Sequence, residues 1–124
     1  MINIEIEGSE GFDRASILSI KISKAMKAGD RTRLQNQWVS LASSINEAIG
    51  YDLASKITKS PEYKELYDAN LAVFEGVEEA QKDNISGLHL DKLNQARFAA
   101  KNKLQKQFFG KNTEEVKLKS HHES

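Results

Sequence analysis

The sequence predicts an all-α fold, an antiparallel helical bundle of about four helices with a short β-strand at its N-terminal end. Three observations carry this. The first is a charge split. Residues 61–83 hold Glu62, Glu65, Asp68, Glu75, Glu78, Glu79 and Asp83 against Lys64 and Lys82, a net of −5. Residues 88–111 hold Lys92, Arg97, Lys101, Lys103, Lys106 and Lys111 against Asp91, a net of +5. Only the turn-like Asn84-Ile85-Ser86-Gly87 separates them, so opposite charge selects an antiparallel hairpin of helices. The second observation is the recurrence of apolar residues at helical steps of three and four. The third is the alternation of Ile2, Ile4 and Ile6 with Asn3, Glu5 and Glu7, the period of a strand with one buried face.

Each element follows in order. A strand over 1–7 needs a partner for its edges, either the tail, where Val116 and Leu118 also alternate with Lys117 and Lys119, or a second protomer. Gly8-Ser9-Glu10-Gly11 breaks it. A helix over 12–28 follows, with Phe12, Ala15, Leu18, Ile22 and Met26 at helical spacing and Gly29 placed as its C-cap. Asp30 then caps a helix over 31–49, whose Leu34, Trp38, Leu41, Ile45 and Ala48 step by four and three as a coiled-coil-like seam. After Gly50, residues 51–57 read as a short, weaker helical or irregular link. Ser60-Pro61 is a strong start signal, Ser as N-cap and Pro at the first helical position, for a helix over 61–84. Its inward set is Tyr63, Leu66, Leu71, Phe74 and Val77. A last helix over 88–109 places Leu90, Leu93, Arg97, Ala100, Leu104 and Phe108 on one side. Residues 1–120 read as one domain, with 111–124 as a partly disordered tail.

Composition excludes several function classes. Charges balance at 18 basic and 18 acidic residues, so no broad basic footprint for nucleic acid or anionic membrane is expected. No apolar run approaches the ~20 residues that span a bilayer, and nothing at the N-terminus reads as a secretion signal, so a cytoplasmic location is expected. The chain has no cysteine and hence no thiolate chemistry. Glycine-rich phosphate loops, His-Glu-x-x-His, the Glu-x-x-His of di-iron bundles and the nucleophile elbow are all missing. No cofactor and no metal are expected. His121-His122 lie in a polar tail without a third ligand, and His89 reads as a turn or cap residue. Trp38 is expected in the core, and Phe108-Phe109 as a hydrophobic plug whose second ring could mark an interface if exposed.

The polar residues among core positions are the more informative set. Arg14, Ile17 and Lys21 share one helix face, with Asp13 beside them. Asn94, Arg97 and Lys101 share another. If these faces meet, cations converge, and buried cations must be paired or must bind an anion. Pairing with Asp13, or with a tail carboxylate such as Glu114 or Glu115, is the favoured reading.

The same residues carry a resemblance. Asp13-Arg14-Ala15-Ser16-Ile17-Leu18-Ser19-Ile20-Lys21 resembles the N-terminal motif Asp-Lys-x-Thr-Ile-Leu-x-Ile-Lys of the small bacterial and phage family known as domain of unknown function 6165. Asp13, Ile17, Leu18, Ile20 and Lys21 match, while Arg14 and Ser16 are conservative departures. Asn94, Arg97, Lys101, Gln105, Gly110, Glu114, Glu115 and Lys117 resemble its C-terminal motif, with Gln105 in place of an Asn and His121 near a closing aromatic. The resemblance covers both ends of the chain and brings no activity. It implies that the two polar faces and the tail form one feature, comprising Asp13, Arg14, Lys21, Asn94, Arg97, Lys101, Glu114, Glu115 and Lys117.

Two functional expectations follow. The first is a non-catalytic, self-associating interaction module, a homodimer or other homo-oligomer. The alternative is a protein or enzyme that binds a small anionic or phosphate ligand with the basic cluster between the first and last helices.

Overall fold

The computed structural model describes residues 8–82 and 87–110, and every regular element among them is an α-helix. These are α1 (Gly8–Lys24), α2 (Ala28–Ile49), α3 (Tyr51–Thr58), α4 (Pro61–Gln81) and α5 (Gly87–Phe109). The expected strand over 1–7 and the tail over 111–124 lie outside the described residues.

The chain makes its turns with few signals. Ser60 Oγ accepts from the Tyr63 N–H at 3.2 Å and Pro61 opens α4, which is the expected N-cap. Gly50 ends α2 and begins α3. Its N–H reaches the Asn46 carbonyl at 2.8 Å, its own carbonyl accepts from Ala54 at 3.1 Å, and its φ of +91° suits a residue without Cβ. The link over 51–57 is therefore a helix in its own right.

Three boundaries differ from expectation. Gly8-Ser9-Glu10-Gly11 is the first turn of α1 rather than a break, because tertiary contacts hold it: the Ser9 N–H donates to Gln105 Oε1 at 3.0 Å. α1 stops at Lys24, so Met26 leaves the helix and is 96% exposed. Gly29 and Asp30 fall inside α2, whose N-cap is Lys27 with no side-chain bond. The corner is closed instead by Arg31 Nη2, which donates to the Ala25 carbonyl at 2.8 Å.

The core gathers Phe12, Ile45, Ala54, Ile57, Leu66, Ala100 and Leu104 from all five helices. Phe12 is central, with Tyr63 edge-on and Phe109 tilted, each ring centroid 6.2 Å away. Phe109 thus helps to close the core, and its ring lies so near Gly8 that a Cβ there would come within 2.5 Å. α4 and α5 form the expected hairpin, antiparallel because Glu65 meets Lys103 and Asn70 meets Arg97. Their opposite charges contribute less than the split suggests. The ion pair from Lys103 to Glu65 at 3.1 Å joins the two helices at an exposed position, where such a pair is worth little.

The apolar seams need two corrections. On α2 only Ile45 is buried, Ala48 is exposed and Trp38 keeps 39% of its surface exposed, because among the described residues α2 packs mainly on α1 and α3. On α4 the buried positions are Leu66, Asn70 and Gly76, while Val77 is exposed.

Candidate functional site

Two features stand out: a buried polar cluster between α1, α4 and α5, and an apolar groove beside α2. The cluster begins with sequence spacing. Ser9, Asp13, Ser16 and Ile20 step by four, three and four along α1, and all four are buried. This polar seam faces Gln105, Lys101 and Arg97, which step back along α5 by four.

Asp13 is the centre, with 1% of its surface exposed. Its Oδ2 accepts from Arg97 Nη2 at 2.7 Å, and its Oδ1 accepts from Asn70 Nδ2 at 2.8 Å. Asn70 completes a ring, since its Oδ1 accepts from Arg97 Nε at 2.7 Å and its Nδ2 also donates to Ser16 Oγ at 2.7 Å. Ser16 Oγ in turn donates to the Asp13 main-chain carbonyl at 2.7 Å. One turn away, Lys101 Nζ bonds Glu10, which also accepts from Arg14 Nε at 3.3 Å. The hydrogen bond to Lys101 holds the Glu10 carboxyl below its ordinary 4.5, and outweighs partial burial, which acts the other way. The Lys101 and Arg14 charges add to the lowering. Gln105 gives its Oε1 to Ser9, while its buried Nε2 has no partner among the described residues.

This arrangement consumes its own valences. Both Asp13 oxygens and both functions of the Asn70 amide are bonded within the cluster, and Ser16 spends its proton on a main-chain carbonyl. Among these bonded groups no hydroxyl stands poised beside a base, and Arg97 and Lys101 each face a carboxylate, with Arg14 as a third cation sharing Glu10 at the exposed edge.

The structure sorts the sequence-derived set. Asp13, Arg97 and Lys101 come together, each basic residue facing a carboxylate. Arg14 joins only at the exposed edge through Glu10. Lys21 is exposed on α1, so it does not converge with the others. Asn94 bonds locally to the Leu90 carbonyl at 3.3 Å. Glu114, Glu115 and Lys117 lie outside the described residues, as do His121 and His122. Glu10, Ser16 and Asn70 were not in the set. Asn70 had a readable signal, because Tyr63, Leu66, Asn70, Phe74 and Val77 step by three, four, four and three. Passing from Leu66 to Leu71 skips the one polar residue on that line. Among the described residues no group of three or more His, Cys, Asp or Glu side chains could hold a metal. No helix there is long and apolar enough to cross a membrane.

The second feature is a groove of about 370 Å³ where α2, α3 and the start of α4 meet α1. Phe12, Trp38, Tyr51 and Tyr63 supply four aromatic walls, with Ala42 and Ile45 among the rest, and among the described residues no charged side chain lines it. Tyr51 stands exposed at the rim. Burial pushes the Tyr63 phenol up to about 12, with a further contribution from Tyr67.

No family model, curated protein or solved structure matches this chain.

Proposed function

We propose that this protein is a non-catalytic helical interaction module that associates with itself through the α2–α3 face. The observation that carries this reading is the aromatic groove, which among the described residues no charged side chain lines and which runs beside an α2 packed mainly on α1 and α3. An apolar, aromatic surface with adjoining exposed Trp38, Val39 and Tyr51 is the composition of an interface centre. A chain with balanced charge also meets little electrostatic repulsion from a second copy. The polar cluster speaks against the anion-binding alternative, since Arg97 and Lys101 already face Asp13 and Glu10. On this reading the resemblance to domain of unknown function 6165 marks shared scaffold residues, with the cluster fixing α1 against α4 and α5.

Sedimentation velocity over a micromolar concentration series tests the proposal. Self-association gives a rising weight-average mass, and Tyr51→Glu, placed at an exposed rim position, lowers it. A clean 13.9 kDa species at every concentration removes the self-association reading. A specific rise in melting temperature with phosphate or sulfate would restore the anion-binding alternative.

A further inference from the structure

The groove needs an uncharged, apolar occupant, and the same chain carries one. Met26 projects from the corner between α1 and α2 with 96% of its surface exposed. Leaving a long thioether in water has no local compensation. The corner itself is held in place: the Ala25 N–H bonds the Ile22 carbonyl at 3.3 Å, and Arg31 Nη2 bonds the Ala25 carbonyl at 2.8 Å. The backbone that carries Met26 is therefore tied down on one side, which limits the main-chain ordering that docking requires. The other exposed large apolar side chains do not suit the part, Val39 being a short side chain in the middle of α2. Trp38 and Tyr51 are walls of the groove, and Phe98 lies on α5 beneath the Arg97 guanidinium, 5.8 Å from ring to carbon. Val77 sits among the acidic residues of α4.

We infer that Met26 of one copy enters the aromatic groove of a second copy, and that the second returns its own Met26, closing a two-fold dimer. This rests on the self-association proposed above and names the contact that makes it. An unbranched thioether adapts to an irregular groove, and sulfur meets aromatic ring edges favourably. Four aromatic residues line this one. Reciprocity follows from the helix. Met26 lies two residues before Ala28, the start of α2, and Ala28 precedes Ala42 by 14 residues, about 21 Å along the helix at 1.5 Å per residue. Two α2 helices laid antiparallel, with the axis midway near Leu34 and Gln35, put each Met26 at the level of the other's Ala42. Gln35 shares a face with Ala42, seven residues on, so it lies at the axis and can pair with its own copy. Such an isologous contact closes at two.

The test uses the full chain, with methionine methyl-¹³C labelling and sedimentation in parallel. Only two methionines occur, so the Met26 methyl is assigned by comparison with Met26→Leu. In the wild type that methyl should move upfield with increasing protein concentration, as aromatic rings come to surround it. Met26→Ser should weaken dimerisation at least about tenfold while leaving the melting temperature unchanged at concentrations where the wild type is monomeric, since there an exposed side chain leaves no cavity. Met26→Leu should largely restore association. A dimer of wild-type affinity in Met26→Ser overturns the Met26 contact, while the self-association reading survives. Growth beyond the dimer overturns the two-fold closure. A wild type that stays monomeric takes both proposals with it.

Discussion

Arg97 and Asp13 stand 84 residues apart in the chain, and Arg97 Nη2 lies 2.7 Å from Asp13 Oδ2. The Asp13 side chain is almost wholly buried and that of Arg97 only partly. This pair therefore links the first and last described helices through one desolvated charge. Removing the cation is costly. Arg97→Ala strands a buried carboxylate, and chemical denaturation should show a loss of about 3 kcal/mol. The triple variant Asp13→Leu/Asn70→Leu/Arg97→Met should recover most of it, because apolar replacements avoid the desolvation and leave no buried Asn70 amide without its partners. A single Arg97→Ala that is neutral or stabilising would show that the pair does not support the fold.

Asn70 should matter more than its size suggests. Asn70→Leu removes the partners of Asp13 Oδ1, Ser16 Oγ and Arg97 Nε at one stroke, at about 1–3 kcal/mol for each group left unsatisfied and with less than simple addition. Gln105→Met should cost less, because half of that amide has no partner among the described residues. The ratio of the two denaturation midpoints is the measurement, and the reverse order would contradict the bonding pattern.

The Glu10–Lys101 contact sets an acid limb. The folded carboxyl titrates below its ordinary 4.5, so its stabilisation is complete above that value and fades as pH falls through the lower, folded one. Glu10→Gln should flatten the pH dependence of stability below about pH 4.5. The group is partly exposed, so the effect should also shrink in high salt.

Tyr63 sets the alkaline limb. Its phenol titrates at about 12 in the fold against 10.0 for the free side chain. The protonated form is the one the fold prefers, so stability holds below pH 10 and falls as pH rises towards 12, by about 2–3 kcal/mol in total. Tyr63→Phe should remove this decline, as read by thermal melts between those limits.

Gly8 tests the closure of the core. Gly8→Ala places a Cβ within 2.5 Å of three Phe109 ring atoms, and the ring must shift off Phe12. The expected cost is about 1–3 kcal/mol, reduced when Phe109→Leu is added.

Local rules decided much of the fold before any packing was known. Ser60-Pro61 starts α4 because a hydroxyl and a ring that fixes φ act within one turn. Gly50 separates α2 from α3 because only a residue without Cβ suits its backbone. The opposed charges of 61–83 and 88–111 led to the α4–α5 hairpin, which buried Leu66 and Leu104 and the Asn70–Arg97 bond also hold. Sequence spacing also brought out Asp13, Arg97 and Lys101, since i, i+4 neighbours on one helix share a face. What it could not show was which partner each would meet. Glu10 was missed because two glycines around it resemble a break, and that turn is helical only because Gln105 and Phe109 lie against it. Met26 and Trp38 were expected inside because periodicity marks which side of a helix is apolar, not whether another helix arrives to cover it. That depends on where α1 ends and how far α2 extends past its neighbours, and only the tertiary packing decides both.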